Sequence, residues 1–168
     1  TIDLNGFTVS ASDAARSFPA ITIDGADSHV AIRNGSIRNW SNAVTHAVGG
    51  SVTLEDVKAF GSRLNQFELR EATVTRCLAE DGGAAGFFVN GAGTFSECLA
   101  RANGANGFAL GSGTIIARGC ASLGNGQDGF NLGQGVAENC RAENNTGNGF
   151  SNPGVIAGCT ALSNGADG

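Results

Sequence analysis

The chain has 168 residues, 41 % of them hydrophobic, with 27 glycines, two prolines, no tyrosine or methionine, and a formal net charge of −5. That length fits one domain able to bury a core without metals or disulfides, and abundant glycine with almost no proline describes an ordered chain rich in tight turns. The negative balance disfavours nucleic acid, acidic lipid and polyanionic glycans as partners of the whole surface. The absence of any apolar run of about 18 residues means that no membrane insertion is predicted.

The chain opens on Ile2-x-x-Asn5-x-Phe7, a degenerate copy of a phrase that returns as Ile32-x-x-Gly35-x-Ile37 and Leu54-x-x-Val57-x-Ala59. Residues near 10–20, with Phe18-Pro19, read as a loop insertion between the first two copies. Cysteine then enters the phrase: Cys77, Cys98, Cys120, Cys140 and Cys159 follow at intervals of 21, 22, 20 and 19 residues. An apolar or small residue stands three positions before each (Val74, Phe95, Ala117, Ala137, Ile156) and a small one two positions after. Phe67, Phe87, Phe108, Phe130 and Phe150 keep the same beat, and from Phe87 onward each is preceded by Gly. Between Cys and Phe lies a polar turn marked by Asn103, Asn125, Asn145 and Asn164, with a second amide or acid at Asn106, Asp128, Asn148 and Asp167.

A repeat of about 21 residues, built from short alternating apolar runs separated by turns, predicts an all-β parallel β-helix of about eight coils. Residues 1–168 read as one such domain, a fragment of a longer parent. The leucine-rich repeat has a similar period but needs a Leu-x-x-Leu-x-Leu signature that is absent. IDLNGFTV at 2–9, ITIDGADSHVAIRNGSIRNW at 21–40, and the later V-T-R-C-L-A and F-S-E-C-L-A coils followed by N-G-x-N-G-F together resemble right-handed parallel β-helix proteins of the pectate-lyase-like superfamily. The resemblance implies the fold and an extracellular or cell-envelope setting. It implies no single activity, because that superfamily includes lyases, hydrolases, epimerases, surface proteins and phage tailspikes.

In the repeat register the cysteines form one inward ladder, which suits reduced, buried thiols and not a tetrahedral metal cage. The Asn columns read as turn-capping ladders. No cofactor is predicted: Ca²⁺ would have to use the acidic and amide edge, and the Gly-Gly-x-Gly-x-Asp pattern that supports such a site is missing. The register also aligns Asp56 with Arg76 and Glu97, Arg33 with Glu55, Arg118 with Glu138, and Glu80 with Arg101, as outward ladders of alternating charge. Arg16, Arg38, Arg63, Arg70, Arg141 and Lys58 remain scattered. The candidate catalytic residues are Asp24, Asp27 and His46, with Trp40 as a sugar-stacking candidate. Against them stand plainer readings: Asp24-Gly25 as a turn, Trp40 in the Asn column, and His46 aligned with Leu69 and Val89. Phe88 and Leu99 are expected to face outward. The leading expectation is a non-catalytic β-helix scaffold or carbohydrate-associated surface module. The alternative is a polysaccharide lyase or glycoside hydrolase with its site in the N-terminal coils. Polysaccharide is the expected partner, with end-to-end or edge self-association as a further expectation.

Overall fold

The computed structural model describes residues 1–12, 17–26, 29–46, 48–111 and 113–166. The chain enters through β1 (Ile2–Asp3) and β2 (Thr8–Ser10), crosses through β3 (Ile21–Ile23), and repeats the circuit through β4 (His29–Arg38), β5 (Val44–His46), β6 (Ser51–Phe60) and β7 (Phe67–Leu69). Shorter strands then recur turn by turn. They are β8 (Ala72–Thr75), β9 (Leu78–Glu80) and β10 (Phe87–Val89); β11 (Gly93–Ser96), β12 (Leu99–Arg101) and β13 (Phe108–Leu110); β14 (Ile115–Arg118), β15 (Ala121–Leu123) and β16 (Phe130–Asn131). The last turns add β17 (Val136–Glu138), β18 (Arg141–Glu143), β19 (Phe150–Ser151), β20 (Val155–Ala157) and β21 (Thr160–Leu162).

Each strand pairs in parallel with its equivalent one turn away, so the chain is a β-solenoid of about seven turns, counted by the 7-stranded sheet β19-β16-β13-β10-β7-β5-β3. The remaining strands form a single 14-stranded sheet. Three faces therefore make two hydrogen-bonded sheets, because β4 and β6 run unbroken through a corner that later turns interrupt. That corner is made by a column of left-handed residues directly before the Cys position: Asn34, Asp56, Arg76, Glu97, Gly119, Asn139 and Gly158, with φ between 50° and 63°. A second corner repeats the device at Asn39, Gly61, Asp81, Ala102, Gly124, Asn144 and Ser163. Asn, Asp and Gly tolerate this geometry, whereas a Cβ without a compensating polar group costs about 1–2 kcal/mol there. Exposed Ala102, at φ 54°, carries that cost, so Ala102→Gly should raise stability by about 0.5–1 kcal/mol in urea unfolding.

The interior is a set of columns. Phe67, Phe87, Phe108, Phe130 and Phe150 stack with ring centroids 5.1, 4.8, 4.6 and 5.0 Å apart and interplanar angles of 7–13°. Phe95 meets Phe87 and Phe108 edge-on. Each fully buried ring contributes roughly 1.5–3 kcal/mol, which makes this column a principal source of cohesion. The last turn leaves apolar residues uncovered: Val155, Ile156 and Leu162 are 53, 44 and 48 % exposed.

A polar column runs beside the rings. Asn125, 1 % exposed, donates from Nδ2 to Ala100 O and to Asn145 Oδ1, while its own Oδ1 accepts from the backbone N and the Nδ2 of Asn103. Asn145 and Asn164 extend the chain of amides, each donating to a carbonyl one turn below it. An amide is suited to this because it offers donors on one side and an acceptor on the other, so identical residues satisfy one another. Asn125→Ala removes a link and leaves buried partners unpaired; the expected loss is roughly 2–4 kcal/mol, read as a lower urea midpoint with an unchanged slope.

Outside, charges pair across turns. Arg76 holds Asp56 and Glu55 at 2.8 and 2.6 Å, Arg101 holds Glu80 at 2.9 Å, and Arg118 holds Glu138 at 2.6 Å. Hydrogen bonding from Arg76 keeps the Asp56 carboxyl below its ordinary range. Two details differ from the register reading. Arg33 turns to Asp3 at 2.9 Å because Arg76 has taken Glu55, and Glu97 makes no ion pair among the described residues. These pairs are half-exposed and each is worth about 0–1 kcal/mol, so their main effect is on register.

Candidate functional site

Side chains at the centre of the seven-stranded sheet strands point outward. The register aligns Thr22, Thr45, Glu68, Phe88, Ala109, Asn131 and Ser151 in one outward column. Unlike the inner columns, this one changes chemistry at every step beyond Thr45. Where it passes Glu68, Phe88 and Ala109, two adjoining hollows open along the solenoid axis. The first, of about 300 Å³, is lined by His46, Glu68, Leu69, Arg70, Phe88 and Asn90. The second, of about 280 Å³, is lined by Phe88, Val89, Asn90, Asn106, Ala109, Leu110, Gly111 and Asn131. Phe88 and Asn90 belong to both, so the hollows form one shallow groove with a 36 % exposed aromatic ring at its centre.

The polar groups of the groove are held in place. Glu68 Oε2 accepts from Asn42 Nδ2 at 2.9 Å and Asn65 Nδ2 at 3.4 Å, while Oε1 has no partner among the described residues. Arg70, exposed at the end of β7, has no ion-pair partner among the described residues. Asn106 Oδ1 accepts from the Asp128 backbone and Asn131 Oδ1 from Asn152 Nδ2, which leaves both side-chain NH₂ groups as donors. Asp128 is itself occupied by Asn148 N at 2.8 Å and Ser151 Oγ at 2.6 Å.

Of the catalytic and sugar-stacking candidates singled out in the sequence, the structure brings one to the residues lining this groove, which also include the outward Phe88. His46 occupies the inward column between Ile23 and Leu69, 1 % exposed, and its Nε2–H donates to Gly49 O at 3.2 Å. Its Nδ1 is buried with no partner among the described residues. Asp24 is exposed after β3 and does not line the groove. Trp40 packs half-buried against the core with Nε1 unpartnered, in the column of Ser62, Gly82 and Asn103, as the backbone bonds Arg63 N to Trp40 O, Gly83 N to Ser62 O and Gly104 N to Gly82 O show. Asp27 lies outside the described residues. Glu68 and Asn90 were not picked out from sequence, and Arg70 stood only among the unassigned arginines. The available signal was the unlike residues Glu68, Phe88, Ala109 and Asn131 in equivalent outward positions.

The five cysteines are free, one per turn along the axis, and four of them are buried. Their thiols donate weakly to backbone carbonyls, as Cys77 does to Thr75 O at 3.4 Å and Cys98 to Val74 O at 3.4 Å. Among the described residues no three Cys, His, Asp or Glu side chains converge as a metal site. Burial pushes the Cys77 thiol from its ordinary 9.0 up to about 12. A thiol whose value is raised on folding favours the folded state fully below the unfolded value, and that contribution is lost as pH rises toward the folded one. Stability should therefore decline between pH 9.0 and about 12. At about pH 8, mass spectrometry after iodoacetamide should find the buried thiols unmodified until denaturant is added.

The geometry defines a parallel β-solenoid carrying an open groove on one sheet. Residues 19–168 match the family described as the right handed beta helix region, and the chain belongs to that family. The handedness of the winding follows from this membership, and the pectate-lyase-like resemblance is consistent with it. No curated protein and no solved structure gave a significant match.

Proposed function

We propose that the chain is a non-catalytic β-helix module that docks polysaccharide along the outer groove of its seven-stranded sheet. The observation that carries this reading is the half-exposed Phe88 ring flanked by fixed hydrogen-bonding groups over two adjoining hollows. A sugar ring has an apolar face that stacks on an aromatic side chain and a rim of hydroxyls that need both donors and acceptors. The groove supplies an acceptor at Glu68 Oε1 and donors at Arg70, Asn106 and Asn131. It holds one carboxylate among its lining residues, whereas general acid–base glycoside cleavage uses two on either side of the bond. Such a ligand fits an extracellular or envelope-exposed setting.

The alternative, a lyase or glycosidase working from Asp24, Asp27 and His46, draws on the place of His46 among the residues lining the first hollow. Affinity electrophoresis through a panel of neutral and acidic polysaccharides, with reducing-end and unsaturated-product assays alongside, separates the two. The expected result is retardation by at least one polysaccharide without product release, weakened about tenfold or more by Phe88→Ala. Product release abolished by Asp24→Ala would overturn the non-catalytic reading in favour of the enzyme.

A further inference from the structure

The groove contains a charge arrangement that bears on which glycan it accepts. Arg70 is the one guanidinium or ammonium group among its described lining residues, and it shares its hollow with the Glu68 carboxylate. The second hollow has no charged lining residue among the described residues. Just beyond it, Asp128 is bonded through its backbone to Asn106 and through its side chain to Ser151, the neighbour of Asn131 in the outward column. Along the axis the sequence of charges is thus Glu68 with Arg70, then amides, then Asp128.

A chain of uronate residues carries a carboxylate on every sugar, and one sugar spans about the distance between successive turns, ~4.7–4.9 Å. Laid in this groove, a single carboxylate would meet Arg70 while its neighbours faced uncompensated amides and the anionic Asp128. A carboxylate is also an acceptor only, so it cannot serve the open acceptor Glu68 Oε1, which requires an O–H or N–H donor, and it meets a like charge there. Hydroxyls do both. An O–H pointing at Glu68 donates, and the same hydroxyl oxygens accept from Arg70 and from the free NH₂ groups of Asn106 and Asn131.

We infer that the groove selects an uncharged, hydroxyl-rich glycan over a polyuronate, with Glu68 setting the discrimination and Phe88 supplying the common stacking platform. This inference rests on the polysaccharide-docking reading, and its test keeps the two separable. Isothermal titration of the full chain would use the neutral hexaoses of glucose, xylose and mannose, each with β-1,4 linkages, against hexagalacturonate. At least one neutral hexaose should bind about tenfold or more tightly than hexagalacturonate. Glu68→Gln should narrow that ratio by strengthening hexagalacturonate binding several-fold, and Phe88→Ala should weaken whichever sugars bind. Both side chains sit on the outer face, and a thermal melt matching the parent confirms that each variant is folded.

Hexagalacturonate binding as tightly as the neutral sugars, and lost in Arg70→Ala, would overturn the selectivity while leaving the docking reading in place. Equal effects of Glu68→Gln on neutral and acidic sugars would overturn the role given to Glu68. Binding by none of the four hexaoses would overturn both the selectivity and the docking reading.

Discussion

Parallel, in-register pairing between successive turns is the constraint on which everything else in this structure depends. Because every backbone position hydrogen-bonds its own equivalent about 4.7–4.9 Å away, each side chain must be compatible with a copy of itself directly above and below. The columns are the solutions to that requirement. Phenylalanine stacks on phenylalanine with nearly parallel rings, and asparagine bonds asparagine because its amide is donor and acceptor at once. Cysteine fills the inner corner as a small, weakly donating hydrophobe. Charged residues are the exception that fits the rule: a copy of the same sign is repelled, so Arg76 stands over Asp56, and Arg118 beside Glu138.

The same constraint fixes the corners. A chain that turns at equal intervals must reverse its backbone twist at the same point in each circuit, and the two left-handed columns do so. Most of their members are Asn, Asp or Gly, which adopt that conformation at little cost. Arg76 and Glu97 do not belong to that set, and Arg76 is compensated by the two carboxylates it grips.

Where the outward column of the seven-stranded sheet departs from like-on-like stacking, the surface acquires shape and chemical individuality. Glu68, Phe88, Ala109 and Asn131 differ in size, so their succession produces hollows where identical residues would produce a ridge. The strands beneath are short, paired on both sides and packed on the phenylalanine column, which gives the groove a rigid floor. A platform of this kind binds with little ordering cost, a property that suits a weak, repetitive ligand engaged at several adjacent points.

The sequence by itself determined the winding. Periodicity in the chain is identical to adjacency in a solenoid, so the Phe, Cys and Asn columns, the Arg118–Glu138 and Arg101–Glu80 pairs, and the place of His46 beside Leu69 were legible from spacing alone. The loss of Arg33 from its aligned Glu55 was not legible, since Arg76 and Asp3 compete for the same groups and only side-chain reach decides the outcome. The joining of two faces into one sheet was also hidden, because it depends on whether Asn34 and Asp56 bend a strand or break it. Above all, the groove was decided by tertiary structure. Its residues come from turns 20 or so positions apart, obey no repeat, and come together only when stacking sets Glu68 and Arg70 beside Phe88 and Asn90. Repetition encodes the scaffold in the one-dimensional pattern, while the departures from repetition take on meaning only in three dimensions.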